Sequence, residues 1–340
     1  RGTDRRAQTL RRAGAKRAIP MRRFQWIPHR AELPGLALAT ALGGASLAAV
    51  HALPRSPYVS DVLIALTLGA FLDVGGYSRY FVDHFMLPFT AAVWSTSTDT
   101  ARLYPARYLF RFFENHGMLS VWGAPTWRTV VGGSRTYVER VAERLPAVRR
   151  ATPVRAIERV ADGVRVTTED GEVRPYDGVV VATHPDDALA LLADPSAAER
   201  ELLGAWRYEQ STAVLHTDGA TLPRSSHARG SWNYRLDRCG TPAPLPRIPY
   251  HLNRLHALDE PVDYCVSLNP PEPLAPARVL ATMRYEHPIY TNASVAAQRR
   301  LPELTTGAMA YCGAYHGWGF HEDGCVSGVA AAAHFGADWA

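Results

Sequence analysis

One stretch constrains this chain more than any other. Residues 313–324 read Gly-Ala-Tyr-His-Gly-Trp-Gly-Phe-His-Glu-Asp-Gly and run into an alanine-rich tail through residue 333. The apolar approach at 306–312 predicts a short buried strand, the glycines a turn, and the tail a helix with small residues on one face. Such a turn brings bare backbone N–H groups to a helix N-terminus, where unpaired amides and the positive end of the dipole favour an electron-rich ligand. Gly313, Gly317, Gly319 and Gly324 allow close approach and positive φ. The same pattern also serves a turn that merely packs a helix. Other signals have to decide.

Charge and cysteines exclude several classes. The 340 residues suffice for one large domain or two interleaved ones with a sizeable core. The net charge is +5, yet residues 1–30 hold ten Arg or Lys against Asp4 alone, +9 by themselves, which leaves −4 for residues 31–340. The basic character therefore belongs to a tail, expected to be disordered, and no nucleic-acid partner is expected for the globule. Cys239, Cys265, Cys312 and Cys325 lack CxxC spacing and suit reduced thiols packed as small hydrophobes, which points to a cytoplasmic setting. Thirteen histidines are scattered without HExxH or a His/Cys ligand spacing, so no metal is expected. Residues 33–53 carry no Asp, Glu, Lys or Arg and are about long enough to span a bilayer. Alanine, glycine and Pro34 dilute that run, so a buried helix is the expectation; an export signal or anchor begun at Met21 is the alternative.

Taken in order, residues 61–72 show helical apolar spacing that stops at Gly75-Gly76. Aromatic residues crowd 80–89 and 109–113. From Trp127 a strand is expected to feed Gly132-Gly133, with Ser134 capping an amphipathic helix. A strand follows Pro153-Val154, turns fall at Asp162-Gly163 and Asp170-Gly171, and a continuous apolar strand at 178–183 ends in Ala182-Thr183. Helices at 186–192 and 196–203 precede strands at 213–217, 231–234, 248–255 and 264–268, with proline-rich turns between them. That alternation predicts an antiparallel sheet with one polar and one apolar face.

The closing stretch, the 127–183 segment, Leu-Pro-Phe-Thr-Ala-Ala-Val-Trp-Ser at 87–95 and Phe-Phe-Glu-Asn-His-Gly at 112–117 together resemble flavin amine-oxidase-like proteins. Within them the wording is similar to a bacterial branch of NAD/FAD-binding oxidoreductases associated with fatty-acid modification. The resemblance spans about residues 60–335. It implies an α/β (α+β) fold, in which an incomplete FAD-binding Rossmann-type domain is interleaved with an antiparallel-sheet substrate domain and helices. The implied division is a basic tail at 1–30, a helical part of the substrate domain at 31–120, a middle FAD-domain segment at 121–190, a substrate-binding sheet at 191–305 and a C-terminal FAD-binding segment at 306–340.

The resemblance also implies FAD as cofactor, held by Gly132, Gly133, Ser134, Pro153, Val154 (whose backbone would pair with adenine), Ala182 and Thr183. From the closing segment it adds Gly313, Ala314, Tyr315, Gly319, Phe320, His321, Glu322, Asp323 and Gly324. Tyr315, His321 and Glu322 are the catalytic candidates, with backbone positioning as their alternative role. Trp94, Phe113, His116, Trp232 and Tyr250 are the candidates for a substrate pocket, since an apolar wall with few polar groups suits a flavin face. Core packing is the ordinary fate of such aromatics, and His116 before Gly117 also fits a helix cap.

Two departures bear on chemistry. No GxGxxG occurs, so the chain is expected to be a C-terminal portion lacking the N-terminal pyrophosphate unit. The only lysine is Lys16, so the lysine-held water of many amine oxidases has no counterpart. The implied activity is hydride transfer from a C–H or C–N bond to flavin N5, with a lipid, fatty-acyl or amine substrate. Peripheral membrane contact and oligomeric state stay open. The alternative is a non-catalytic remnant, at most a membrane-associated or partner-binding module.

Overall fold

The computed structural model describes residues 66–119, 126, 128–236, 245–270 and 274–337. The basic tail, the apolar run at 33–53, residues 61–65, Trp127 and Cys239 lie outside these.

Helix α1 (Leu68–Val74) starts where the Thr67 hydroxyl accepts the Ala70 amide and stops at Gly75, with Gly76 at φ +63°. Helix α2 (Arg79–Phe81) continues through a π turn (Val82–Met86) into α3 (Leu87–Trp94). Pro88 explains the widened turn, because it has no N–H to continue an α ladder. Helices α4 (Thr98–Arg102) and α5 (Ala106–Asn115) follow. The 3.6-residue period of α5 turns Leu109, Phe110, Phe112 and Phe113 inward, where they meet Leu68, Leu72, Trp94 and Tyr104 in the main core. His116 occupies the C-cap of α5, Gly117 follows at φ +63°, and Met118 N–H closes on Phe113 O at 2.8 Å. His116 is a helix terminator.

Helix α6 (Arg135–Ala142) forms as expected but buries no residue, leaving Tyr137, Val138 and Val141 exposed. Two expectations fail beside it. Residues 128–131 form no strand, and Ser134 sits at the N-cap without a side-chain cap bond because its own backbone is already helical (φ −60°, ψ −24°). Strands β1 (Val154–Val160), β2 (Gly163–Thr168) and β3 (Val173–Tyr176) make an antiparallel meander turned at the expected Asp-Gly positions. Strand β4 (Val179–Val181) begins the next layer, followed by α7 (Pro185–Leu191) and α8 (Ala197–Leu203). A capping box between Ser196 and Glu199 starts α8.

The four-stranded antiparallel sheet runs β6-β7-β5-β8, from β5 (Arg207–His216), β6 (Ile248–His251), a helical turn α9 (Leu252–Leu255), β7 (Cys265–Leu268) and β8 (Val279–Ile289). Of the strand expected at 231–234, only Trp232 bridges Tyr250; Asn233 spends its side chain on Gly230 and Pro249 O instead. The strand expected through residue 255 ends at His251 because Asn253 bonds Val262 O and the Tyr264 amide, closing a turn. Strand β8 was not foreseen. It is an edge strand, half exposed, with Arg284, Glu286 and Pro288 interrupting its apolar period. Helix α10 (Asn292–Gln298), capped by Thr291, leads to β9 (Met309–Tyr311) and the closing helix α11 (His321–His334). Strand β9 pairs parallel with β4, Val180 opposite Ala310; no third strand joins this sheet among the described residues.

Candidate functional site

The parallel pair delivers two chain ends to one place. Cys312 N–H bonds Val181 O at 3.1 Å, and beyond it Ala182-Thr183 and Gly313-Ala314 lie side by side at the C-terminal ends of β4 and β9. Open α/β sheets bind nucleotide cofactors at this end. Gly313 has φ +156°, and a Cβ there would stand 2.5 Å from the Tyr315 ring. Ser327 on α11 accepts the Gly313 amide at 2.9 Å and sits 2.9 Å from Gly324 O, tying the turn to its helix. Gly319, at φ +94°, passes so close to Tyr290 that a Cβ would meet its hydroxyl at 2.9 Å. Asp323 accepts the Phe320 amide at 3.0 Å and caps α11.

The carbonyls of this turn are heavily occupied. Gly317 O accepts from Gln298 Nε2 at 2.6 Å, Tyr108 Oη at 2.7 Å and Tyr290 Oη at 3.1 Å, and Trp318 O accepts from Trp94 Nε1 at 3.2 Å. Donors from α3, α5, α10 and the end of β8 thus hold the turn by its oxygens. The first amides of α11 keep no partner within the helix and stay available to an acceptor. Three further groups are buried without a hydrogen bond: Tyr315 Oη, His316 Nε2 and Trp318 Nε1. Each unpaired polar group costs about 1–3 kcal/mol, which a polar ligand lodged against the turn would offset. Burial pushes the Tyr315 hydroxyl well above its ordinary pKa and lowers His316 to about 4, so both are neutral at neutral pH. A glycine cradle, unpaired amides and unpaired buried groups together fit a flavin.

The other expected cofactor residues divide. Gly132 and Gly133 take φ of +83° and +81° ahead of α6, and that helix reaches the turn where Tyr137 Oη meets His321 Nδ1 at 2.7 Å. Pro153 and Val154 lie instead at the start of β1 on the separate meander, where Pro153 O accepts the Glu169 amide and Val154 faces Thr168. The catalytic candidates also diverge, with Tyr315 buried and His321 and Glu322 exposed. Of the five pocket candidates only Trp232 lines the cavity between the π turn and residues 232–236. Trp94 and Phe113 are core residues and the His116 ring lies tilted against Phe112 at 4.0 Å, whereas Trp232 and Tyr250 pair edge-to-face at 5.7 Å over the second cluster. Sequence reasoning passed over Tyr108, Tyr290 and Gln298, which carry no local motif, and His316, which lies inside the stretch it singled out.

Two other groupings carry no assignment. His184, Asp186 and Asp187 come within 4.8 Å of one another, but the acids are exposed, as such groups commonly are without an ion. His216 and Ser267 mimic a hydrolase pair at 2.8 Å, yet the Asp218 amide donates to His216 Nδ1. The proton is then on Nε2 and points at the serine, the reverse of a general base.

A parallel pair ending in a glycine-rich turn and helix, set beside an antiparallel sheet, is the arrangement expected of a nucleotide-cofactor binding protein. Residues 15–233 match the family of flavin containing amine oxidoreductases. That is 219 of 340 residues, and the chain belongs to this family. It is an FAD-dependent oxidoreductase, and the family match reaches further toward the N-terminus than the motifs that carried the resemblance. Among solved structures, a fatty acid isomerase from P. acnes aligns with TM-score 0.59 and 15% identity over 96% of this chain and 82% of its own. A redesigned putrescine oxidase aligns with TM-score 0.62 and 12% identity over 93% and 78%. A protoporphyrinogen oxidase from Exiguobacterium aligns with TM-score 0.56 and 16% identity over 80% and 66%. These likenesses show a shared fold. No curated protein matches the chain on sequence.

The bonds at the turn differ in expected weight. Gln298→Leu should raise the Kd for FAD about tenfold, since it removes a half-buried donor worth about 1–1.5 kcal/mol. Tyr137→Phe, at an exposed contact, should raise it by less than about threefold. Titration of FAD fluorescence reads both, and equal effects would contradict the assignment of the Gly317 carbonyl as the turn's anchor.

Proposed function

We propose that hydride leaves a C–H bond of a small-molecule or lipid substrate at the 313–324 turn, either in a carbon skeleton or next to an amine nitrogen, with a proton lost from the adjoining atom, and that the substrate's apolar part is lipid or fatty-acyl in character. The observation that carries this is the turn itself, with its carbonyls claimed by Tyr108, Tyr290, Gln298 and Trp94 and its amides left for an acceptor. FAD, when bound, supplies the two-electron acceptor. Gly313, Ala314, Gly319 and the first residues of α11 would hold it, with Ala182 and Thr183 beside them. Trp94, Phe112, Trp318 and Phe320 form an aromatic wall behind the turn and exclude water. His316 stays a neutral imidazole above pH about 4, able to take a proton once a ligand opens access to it.

With Lys16 as the only lysine, dehydrogenation of a carbon skeleton is favoured over amine oxidation through a lysine-held water. The fatty acid isomerase among the structural neighbours supports an acyl substrate. Cys265, Cys312 and Cys325 are unpaired thiols, which supports a cytoplasmic location. Among the described residues no helix is long and apolar enough to cross a membrane, so any membrane contact we propose is peripheral. The exposed apolar side of α6 favours a second reading, a partner-binding module without turnover.

The visible spectrum of the purified chain, with and without added FAD, separates the two. Flavin bands that survive desalting and bleach anaerobically with an acyl substrate are the expected result. A colourless protein that leaves FAD fluorescence unquenched would overturn the proposal and leave the second reading.

A further inference from the structure

A cavity of about 190 Å³ opens between the π turn and α3 on one side and residues 232–236 on the other. We infer that it is a binding site for a small neutral aromatic molecule bearing one hydroxyl, of the phenol class. Size sets the first limit. An apolar cavity of about 150 Å³ takes benzene, so this one has room for a single ring with a small substituent. Its shape sets the second. Phe85 and Phe89 stack at 5.7 Å with planes 9° apart, and Trp232 stands across from them, which leaves a slot for a flat ring. Asn233 fixes the far wall by bonding Gly230 N, Gly230 O and Pro249 O.

Polarity sets the third limit. Tyr234 lines the cavity, and its hydroxyl is buried without a hydrogen-bond partner. Burial pushes that hydroxyl up to about 12, so it stays protonated and can donate. His84 lines the same cavity from the π turn, and its Nδ1 lies 3.1 Å from Tyr80 O. A carbonyl can only accept, so Nδ1 carries the proton and Nε2 is an acceptor. The described lining therefore offers one donor and one acceptor, and a phenolic hydroxyl uses both. Among the described residues no carboxylate or guanidinium lines it, which disfavours amines and acids. A π turn on its wall agrees with a binding role, since such turns concentrate at functional sites. Binding here requires no cofactor, so the inference stands apart from the flavin reading.

Calorimetric titration of the full chain with p-cresol, toluene, benzoate and benzylamine tests it. The expected result is saturable p-cresol binding about tenfold tighter than toluene, with benzoate and benzylamine weaker still. Tyr234→Phe should abolish the preference for p-cresol over toluene while leaving toluene binding unchanged. Ala92→Leu, which fills the slot, should weaken both rings at least tenfold. Equal binding of p-cresol and toluene by the unaltered chain, an unchanged preference in Tyr234→Phe, or a charged ligand binding as tightly as p-cresol would each overturn the proposal. So would the absence of saturable binding by either neutral ring.

Discussion

Gly317→Ala is expected to raise the Kd for FAD about a hundredfold while helix content stays close to that of the unaltered chain. A Cβ at this position would lie 2.0 Å from Asp323 Oδ1, 2.3 Å from its Cγ and 2.7 Å from its Cβ. The last of these sits next to backbone, so rotating the carboxylate does not relieve the contact. Asp323 can withdraw and leave the Phe320 amide uncapped, at about 1 kcal/mol. Alternatively the turn shifts, and the three donors at Gly317 O lose their acceptor at about 1–3 kcal/mol for each one left buried. Either route misaligns the turn that presents its amides to the cofactor. A combined loss of about 3 kcal/mol corresponds to roughly two decades in affinity. Gly328→Ala is the control, because its Cβ meets nothing within 4 Å and alanine favours a helix interior. FAD titration of both variants reads the difference. Binding by Gly317→Ala within threefold of the unaltered chain would sink the idea that this glycine is required for the turn.

The 313–334 segment was legible in the sequence because its signals are local. Glycine spacing marks the turn and the alanine run marks α11, with no distant partner needed. The β1–β3 meander was legible for the same reason, since Asp162-Gly163 and Asp170-Gly171 set its turns. The contacts that hold the turn were not. Tyr108 reaches Gly317 O from 209 residues away, while Tyr290 and Gln298 reach it from the far end of the antiparallel sheet and the helix after it. Nothing in their immediate sequence announces that convergence. Strand β8 escaped because an edge strand keeps polar residues on both faces, and Pro288 reads as a break although it sits harmlessly at the edge opposite Tyr208. Two of the pocket candidates went to the core for a related reason. Aromatic residues at 94 and 113 satisfy a pocket pattern and a core pattern equally, and burial chose the core. The cavity beside the π turn is lined by Trp232, one of the expected residues, and by the neighbours of Trp94 on the same helical stretch, Phe85, Phe89 and Ala92.

Glu199→Gln is expected to destabilise the fold by about 2–3 kcal/mol at neutral pH and to flatten its acid limb. The Glu199 side chain is 3% exposed and joins three elements. It pairs with Arg159 of β1, accepts the Tyr311 hydroxyl of β9 at 2.5 Å and accepts the Ser196 amide at 2.7 Å. Removing one partner of a buried ion pair costs about 3–5 kcal/mol. Arg159 is 30% exposed and keeps Asp194 at 3.2 Å, which moves the expected value to the lower side. Burial by itself would raise the Glu199 carboxyl pKa, but the Tyr311 hydroxyl, the Ser196 amide and the Arg159 charge outweigh it and hold the group below its ordinary value. A carboxyl depressed in the folded state contributes stability that is fully present above its unfolded value, near 4.3. That contribution is lost as pH falls through the folded value. The gap between the unaltered chain and Glu199→Gln should therefore be constant from about pH 6 to 8 and narrow below about pH 4. Tyr311→Phe removes one neutral donor but keeps the charge, so its deficit should be smaller at pH 7, about 1–2 kcal/mol. Urea unfolding of all three proteins at pH 7, 5 and 3.5 makes the comparison. A gap that stays constant down to the lowest pH would mean that shape and packing at this position, and not the anion, brace β9 and the turn beyond it against the β1 sheet.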